Sequence, residues 1–463
     1  MQRRRFLKAG AAVWLLGACA VDDDGREAAD AGDAVGGGGE TKSGSISQPL
    51  GSIVTRWGLD RFSLGSYSYL AVGSSSADRV SLAASVDDRL YFAGEAASVE
   101  YPATVHGAIL SGRETADEIT STHGSDVEVV IIGAGAAGLA AGERLQAHGA
   151  SVTIVEGRGR IGGRVHTDTS LGVPVELGAG WIHGDDGNPL TDLAERFGVE
   201  RLVSDTENIK IYDAEGEEVD TGALEEVQDA LSSIADGFDG DNTDLGEIID
   251  DALEDLDGTD LRLARYVIAT VVEHDEATDY GTLSTETFEV GEEFDGDDVV
   301  VPTGYIDLLS PLADDLDIVL DTAVTYVGYG DRDVVVEFED GGSMDADVVI
   351  VTVPLGVLKA GSIEFEPALP GDKSDAIERL GMGVLDRIVL SYDKVFWDDD
   401  AVLIGHVAEE PGYFVEWQNL SAATGQPIIS GFNAGSVAAR IEALSDEEAT
   451  AAATSVLETI YGQ

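Results

Sequence analysis

Polar and apolar positions divide this chain into a short opening run, a polar stretch and a long patterned body. Residues 22–50, which begin "DDDGREAADAGDAVGGGGETKSGS", have nothing to bury and read as a flexible tether. From residue 51 onward apolar positions recur densely enough for a globular body, with no internal repeat. The clearest pattern is "VEVVIIGAGAAGLAAGERLQAHGASVTIVEG" (127–157). Its apolar run, Val127–Ile132, suits a parallel strand buried on both faces. A glycine turn, a helix and a second strand follow.

The turn sharpens this picture. Gly133, Gly135 and Gly138 form G-x-G-x-x-G at the strand-to-helix junction. The first glycine permits the tight turn, the second lets backbone approach a pyrophosphate, and the third lets helix and strand pack closely. Phosphates then sit at the positive end of the helix. Glu156 ends the second strand about 20 residues on, where a carboxylate binds a ribose hydroxyl pair. In "GRGRIGGRVHT" (157–167), Gly162 and Gly163 offer a second bare approach and Arg164 can neutralise phosphate. A dinucleotide is expected here.

Charge and cysteine content narrow the function further. The 463 residues carry 89 acidic and 27 basic side chains, a net charge of −62, which sets nucleic acid aside as a partner. Such an excess reads as a solvated, halophile-type surface, and alternatively as a field drawing in a cationic substrate. The single cysteine, Cys19, excludes disulfides and thiolate metal sites in the body. No metal is expected. Arg3, Arg4 and Arg5, with Phe6, Leu7 and Lys8, precede a short apolar run and resemble a twin-arginine export signal. Leu16-Gly17-Ala18-Cys19 resembles a lipoprotein box. Residues 1–19 are therefore expected to be a signal peptide, 20–50 the tether, and Cys19 a lipid anchor outside the cytoplasmic membrane.

With "GRGRIGGRVHT" in place after the second strand, the sequence resembles the flavin-containing amine oxidases, of polyamine and spermine oxidase type. "VELGAGWIHGDDGNPLTDLAERFGV" (175–199) and the stretch from "VTVPLGVLKAG" to "DRIVLSYDKVFW" (351–397) are similar to the same family. So are "VTRWGLDRFSLGSYSY" (54–69) and "FAGEAASVEYPATVHGAILSG" (92–112), although family members carry these two last. Each motif occurs once, and "ALSDEEATAAATSVLETIYGQ" (443–463) resembles the helix that normally precedes R-W-G. The expectation is a circular permutation, joined at "TSTHGSDV" (120–127).

The resemblance implies an α/β fold with a Rossmann-like FAD domain and an α+β substrate domain. In permuted order, residues 51–89 and 186–299 belong to the substrate domain, 90–185 and 300–360 to the FAD domain, and 361–463 again to the substrate domain. It implies FAD held by Gly133, Gly135, Ala136, Gly138, Glu156, Arg158, Gly163, Arg164, Gly180, Trp181, Val324, Gly94, Glu95, Thr104 and Val105. It implies an aromatic clamp of Tyr67 and Tyr101, and a substrate-side His183. Glu276 and Thr278 match positions that hold a distal amine. His106 reads as structural. Where the family has a lysine near the flavin, this chain has Arg387, which is planar, bulkier and never deprotonated. The implied reaction is oxidation of an amine, with a polyamine such as spermine or spermidine favoured, to an imine or aldehyde, O2 being reduced to H2O2. Oxidation or dehydrogenation of another amine or an amino acid stays open, as does a flavin-binding redox or interaction protein without oxidase turnover.

Overall fold

The computed structural model describes residues 46–206, 208–219, 244–254, 256–288, 290–330 and 333–462. The signal peptide, Cys19 and residues 20–45 of the tether lie outside the described residues. The globular body begins earlier than residue 51. Ile46 is buried in the same apolar core as Trp397, Val456 and Ile460, and the Leu50 amide donates to the Ser391 carbonyl at 2.7 Å. One apolar residue at the end of a polar run suffices to fill that gap.

The centre of one half is a five-stranded parallel sheet of β1 (Leu90–Phe92), β2 (Glu128–Ile132), β3 (Ser151–Val155), β4 (Asp317–Val319) and β5 (Val348–Val351). Its order is β4-β3-β2-β5-β1. All of β1 and β5, and β2 beyond Glu128, are buried, as strands covered on both faces must be. Helices α1 (Val105–His123) and α2 (Ala136–His148) cover one face. They cross at Gly112, where a β carbon would come 2.2 Å from the Ala137 carbonyl oxygen, so only glycine fits. Residues 90–123 and 127–155 therefore share one sheet and one core. The other face packs on a four-stranded sheet that includes Val324–Gly328 and Glu364–Glu366. The last of these strands pairs in parallel with Val324–Gly328, which extends this half past the expected boundary at 360.

A six-stranded sheet forms the second half, in the order Gly51–Val54, Leu385–Ser391, Ile428–Ala434, Glu416–Asn419, Leu403–Val407, Ile209–Asp213. Alternation along these strands sends Ile388, Ile429 and Trp417 to a core capped by helix α3 (Asp446–Tyr461), and Arg387, Phe432 and Glu416 to the opposite face. Ser445 and Glu448 close the start of α3 with a capping box. That helix lies along the Gly51–Val54 strand: Thr450 bonds Ser52 at 3.0 Å, and Arg56 pairs with Asp446 at 2.7 Å.

Candidate active site

One cavity of about 1480 Å³ runs from the glycine turn after β2 to the open face of the six-stranded sheet. At its first end the wall is backbone. A β carbon on Gly135 would meet nothing within 4 Å, and one on Gly163 would meet only the Gly135 Cα, at 3.5 Å. The two glycine turns pack directly on each other, the Gly162 amide donating to the Ala134 carbonyl at 2.8 Å, and together present bare backbone to the cavity. The first amides of α2 have no side-chain cap and remain available to an anion. Gly138 is not in the wall. It seats α2 on the turn, since a β carbon there would lie 2.0 Å from the Gly133 carbonyl oxygen.

Side chains at this end are fixed by one another. Glu156 accepts from the Ala134 and Arg158 amides at 2.8 Å each, which leaves lone pairs toward the cavity. Arg158 is held by Asp60 at 2.6 Å and Ser63 at 2.8 Å. Arg164 donates to Glu95 at 2.8 Å and to the Ser66 carbonyl at 2.9 Å. Burial would raise the Glu95 carboxyl, but Arg164, the Ser68 hydroxyl and Arg79 outweigh it and hold it below its usual range. Thr104 caps α1 by accepting from the Gly107 amide at 2.9 Å. Gly94, Val105, Ala136, Gly180, Trp181 and Val324 complete the expected set in the wall.

The other end is aromatic and acidic. Arg387 donates to the carbonyls of Glu176 (2.7 Å) and Gly178 (3.0 Å), and its guanidinium lies 4.8 Å from the Phe432 ring centroid. Burial pushes its pKa down to about 10, so it stays charged at neutral pH. Tyr67 lines the cavity, but its hydroxyl donates to the His274 carbonyl, and burial, then Asp275 and Glu276, raise its pKa well above the usual value. It contributes a ring, not a base. Burial alone would depress His183; the Asp298 carboxylate 3.1 Å away outweighs that and raises its pKa. His106 is pushed down to about 4, by burial and then by His183, so it is neutral and packs as a ring.

Two expectations differ from the structure. Tyr101 is not in the wall. It stacks on Phe294 at 4.7 Å and 5°, and Phe294 presents its ring to the cavity instead. Thr278 also turns away, bonding the Thr282 hydroxyl at 2.9 Å, while Glu276 does line the cavity. The segment before them, Ala269–Glu273, is a π-turn, a feature frequent at functional sites, and it delivers His274, Asp275 and Glu276 to the wall. Sequence reasoning missed Phe294, Asp298, Glu416 and Phe432, which lie in no local motif.

A family model described as flavin containing amine oxidoreductase matches residues 41–120, 136–279 and 280–463. The chain belongs to that family. Polyamine oxidase 4 of Oryza sativa subsp. japonica is 35% identical over 349 residues, covering 70% of this chain and 71% of its own. Polyamine oxidase 2 of Arabidopsis thaliana is 34% identical over 353 residues, covering 72% of each chain. Among solved structures, cyclohexylamine oxidase from Brevibacterium oxydans shares the fold with a TM-score of 0.59 and 21% identity, over 73% of this chain and 82% of that one. The cofactor is FAD and the reaction is oxidation of an amine. The bare glycine turns, the uncapped α2 amides and the oriented Glu156 carboxylate fit the pyrophosphate and ribose of such a group.

Proposed function

We propose that this amine oxidase acts on polyamines. The observation that carries the reading is the charge of the substrate end, where Asp275, Glu276, Glu292, Glu293, Asp298 and Glu416 line one apolar-walled cavity. A chain of ammonium groups separated by methylenes matches carboxylates set among Trp181, Phe294 and Phe432. The polyamine oxidases at 34–35% identity support it.

FAD held by the glycine turns and Glu156 would supply the acceptor for a hydride equivalent from the carbon beside the reacting nitrogen, with O2 reduced to H2O2 on reoxidation and the product imine hydrolysed by water. The chain's own part is selection and orientation. Arg387, pinned by two carbonyls, is a fixed cation that disfavours a second positive charge next to it. The nitrogen nearest it therefore binds neutral, as hydride loss requires. The carboxylates hold the remaining nitrogens as ammonium, and the Tyr67 and Trp181 faces orient the reacting carbon. Anaerobic addition of spermine is expected to bleach the visible flavin band, and amino acids are expected to leave it intact. Bleaching by an amino acid alone sinks the reading.

We also propose the permuted order. It is supported by β1 and β2 sharing one sheet and by α3 lying along Gly51–Val54. A gene reordered to start at residue 127, with 463 joined to 46, is expected to give a yellow, active protein. Export as a lipoprotein through Cys19 is likewise proposed on the motifs alone. Mass spectrometry of the mature protein that found an unmodified Cys19 would end it.

A further inference from the structure

Three residues far apart in sequence stand side by side on the floor of the substrate end. Strand register pairs Arg387 with Phe432, and Phe432 with Glu416, across adjacent antiparallel strands. They share one face and form a row about 10 Å long, two inter-strand steps. All three line the cavity. Glu416 lies 3.7 Å from His274 Nδ1, and the His274 ring is 6.2 Å from that of Phe432. His274 Nε2 is buried and has no hydrogen-bond partner among the described residues. The next position in the row is Gly405, where a β carbon would come 2.3 Å from the Tyr266 hydroxyl. Tyr266 thus closes the row, and Glu416 is its last charged group.

We propose that this row gauges the length of a diamine segment: Glu416 receives the ammonium one spacer beyond the reacting nitrogen, Phe432 supports the methylenes between, and Arg387 keeps the reacting nitrogen neutral. The proposal rests on the polyamine reading and assigns the first ammonium contact to Glu416, not to Glu276, which the resemblance offers for a distal amine. The strand location argues for that choice. Glu416 sits on a sheet strand flanked by partners on both sides, whereas Glu276 ends a three-residue helical turn before Ala277 in a left-handed conformation. Sites on sheet strands hold geometry more tightly than sites in loops.

The test is kcat/KM of the FAD-loaded protein over a series of α,ω-diamines and n-alkylamines of equal length, with the flavin band as the control for folding. The wild type is expected to prefer one diamine length over the matching alkylamine. Glu416→Gln is expected to lower kcat/KM for that diamine about 10- to 100-fold, the size of one charge-assisted contact, and to leave alkylamines within about twofold. Glu416→Asp, shorter by one methylene, is expected to move the optimum to the next longer diamine, and Glu276→Gln to leave it in place. Equal losses for diamines and alkylamines overturn the proposal, as does an optimum that Glu416→Asp fails to move. If the diamine preference survives Glu416→Gln, the gauge fails and the polyamine reading stands. A wild type that takes alkylamines and refuses every diamine and polyamine overturns both.

Discussion

The two ends of the cavity do opposite things with charge and are built by different means. The cofactor end presents bare backbone and arginines already pinned by carboxylates, Arg158 by Asp60 and Arg164 by Glu95. The substrate end presents side chains from separate elements: carboxylates, aromatic rings and the fixed cation Arg387. Backbone recognition tolerates no added atom but demands little of neighbouring sequence. Side-chain recognition tolerates substitution but depends on register. Variants at each end should therefore fail in different ways.

The largest contrast is expected within one motif. Gly135→Val places a side chain into open cavity and touches no protein atom within 4 Å of its β carbon, so the body folds while the pyrophosphate is excluded. Circular dichroism should be unchanged, and the protein should purify colourless and inactive. Gly138→Val drives a β carbon to 2.0 Å from the Gly133 carbonyl oxygen, so it should unfold or misfold the domain. A yellow Gly135→Val protein removes the cofactor assignment of that turn.

Next in size is the fixed cation. Arg387→Met removes a positive charge near the reacting nitrogen and leaves the carbonyls of Glu176 and Gly178 without their donor. With the cation gone, the bound amine holds its proton to higher pH. The acid limb of kcat should move up by about one to two pH units, the size of one charge a few ångströms away at the effective dielectric of a protein interior. Turnover at neutral pH should fall in step, about 10- to 100-fold. A profile that drops without shifting assigns Arg387 a packing role only.

A smaller effect belongs to His183. Asp298→Asn keeps a hydrogen-bond acceptor at 3.1 Å but removes the charge that contributes most to raising the imidazole pKa, so that pKa should fall from its wild-type value. NMR titration of His183 reads this directly. If the resonance titrates as in the wild type, Asp298 is not the group that sets it.

The same contrast explains what the sequence made legible. The cofactor end lies in contiguous motifs because a strand, a turn and a helix suffice to build it. Gly133 through Glu156 could thus be read residue by residue. The row Arg387, Phe432 and Glu416 spans three strands whose pairing no local pattern specifies, and Glu416 is one acid among 89 acidic residues. Motif position located Tyr101 but not its rotation behind Phe294, since the stacking partner comes from a segment nearly two hundred residues away. Glu276 reached the wall and Thr278 did not, because Ala277 takes a left-handed turn between them (φ 55°).

The smallest predicted effect lies behind the cavity and tests whether its scaffold is charge-balanced. Asp386 is next to Arg387 but points to the opposite face, where Oδ1 accepts from the Thr55 hydroxyl at 2.7 Å and the Trp57 amide at 3.0 Å. Its Oδ2 is buried with no donor among the described residues, and the Glu442 carboxyl, which accepts from the Gly58 amide at 2.6 Å, faces it. Arg56 is the nearby cation, but its guanidinium is committed to Asp446 and to the Glu442 and Leu444 carbonyls. Burial, then Asp386, pushes Glu442 up to about 7, and burial also raises Asp386, so the facing pair favours retaining one proton. A folded-state pKa above the ordinary value of 4.5 stabilises the fold fully below that value, and the contribution is lost as pH rises through about 7. Asp386→Asn keeps the acceptor for Thr55 and Trp57 and gives Glu442 a permanent donor, so it should not lose stability in that window. Its denaturation curve should overlay the wild type near pH 4 and be more stable by about 1–2 kcal/mol near pH 8, the scale of one unsatisfied buried group. Two curves that stay parallel across that range would show that no shared proton is held there.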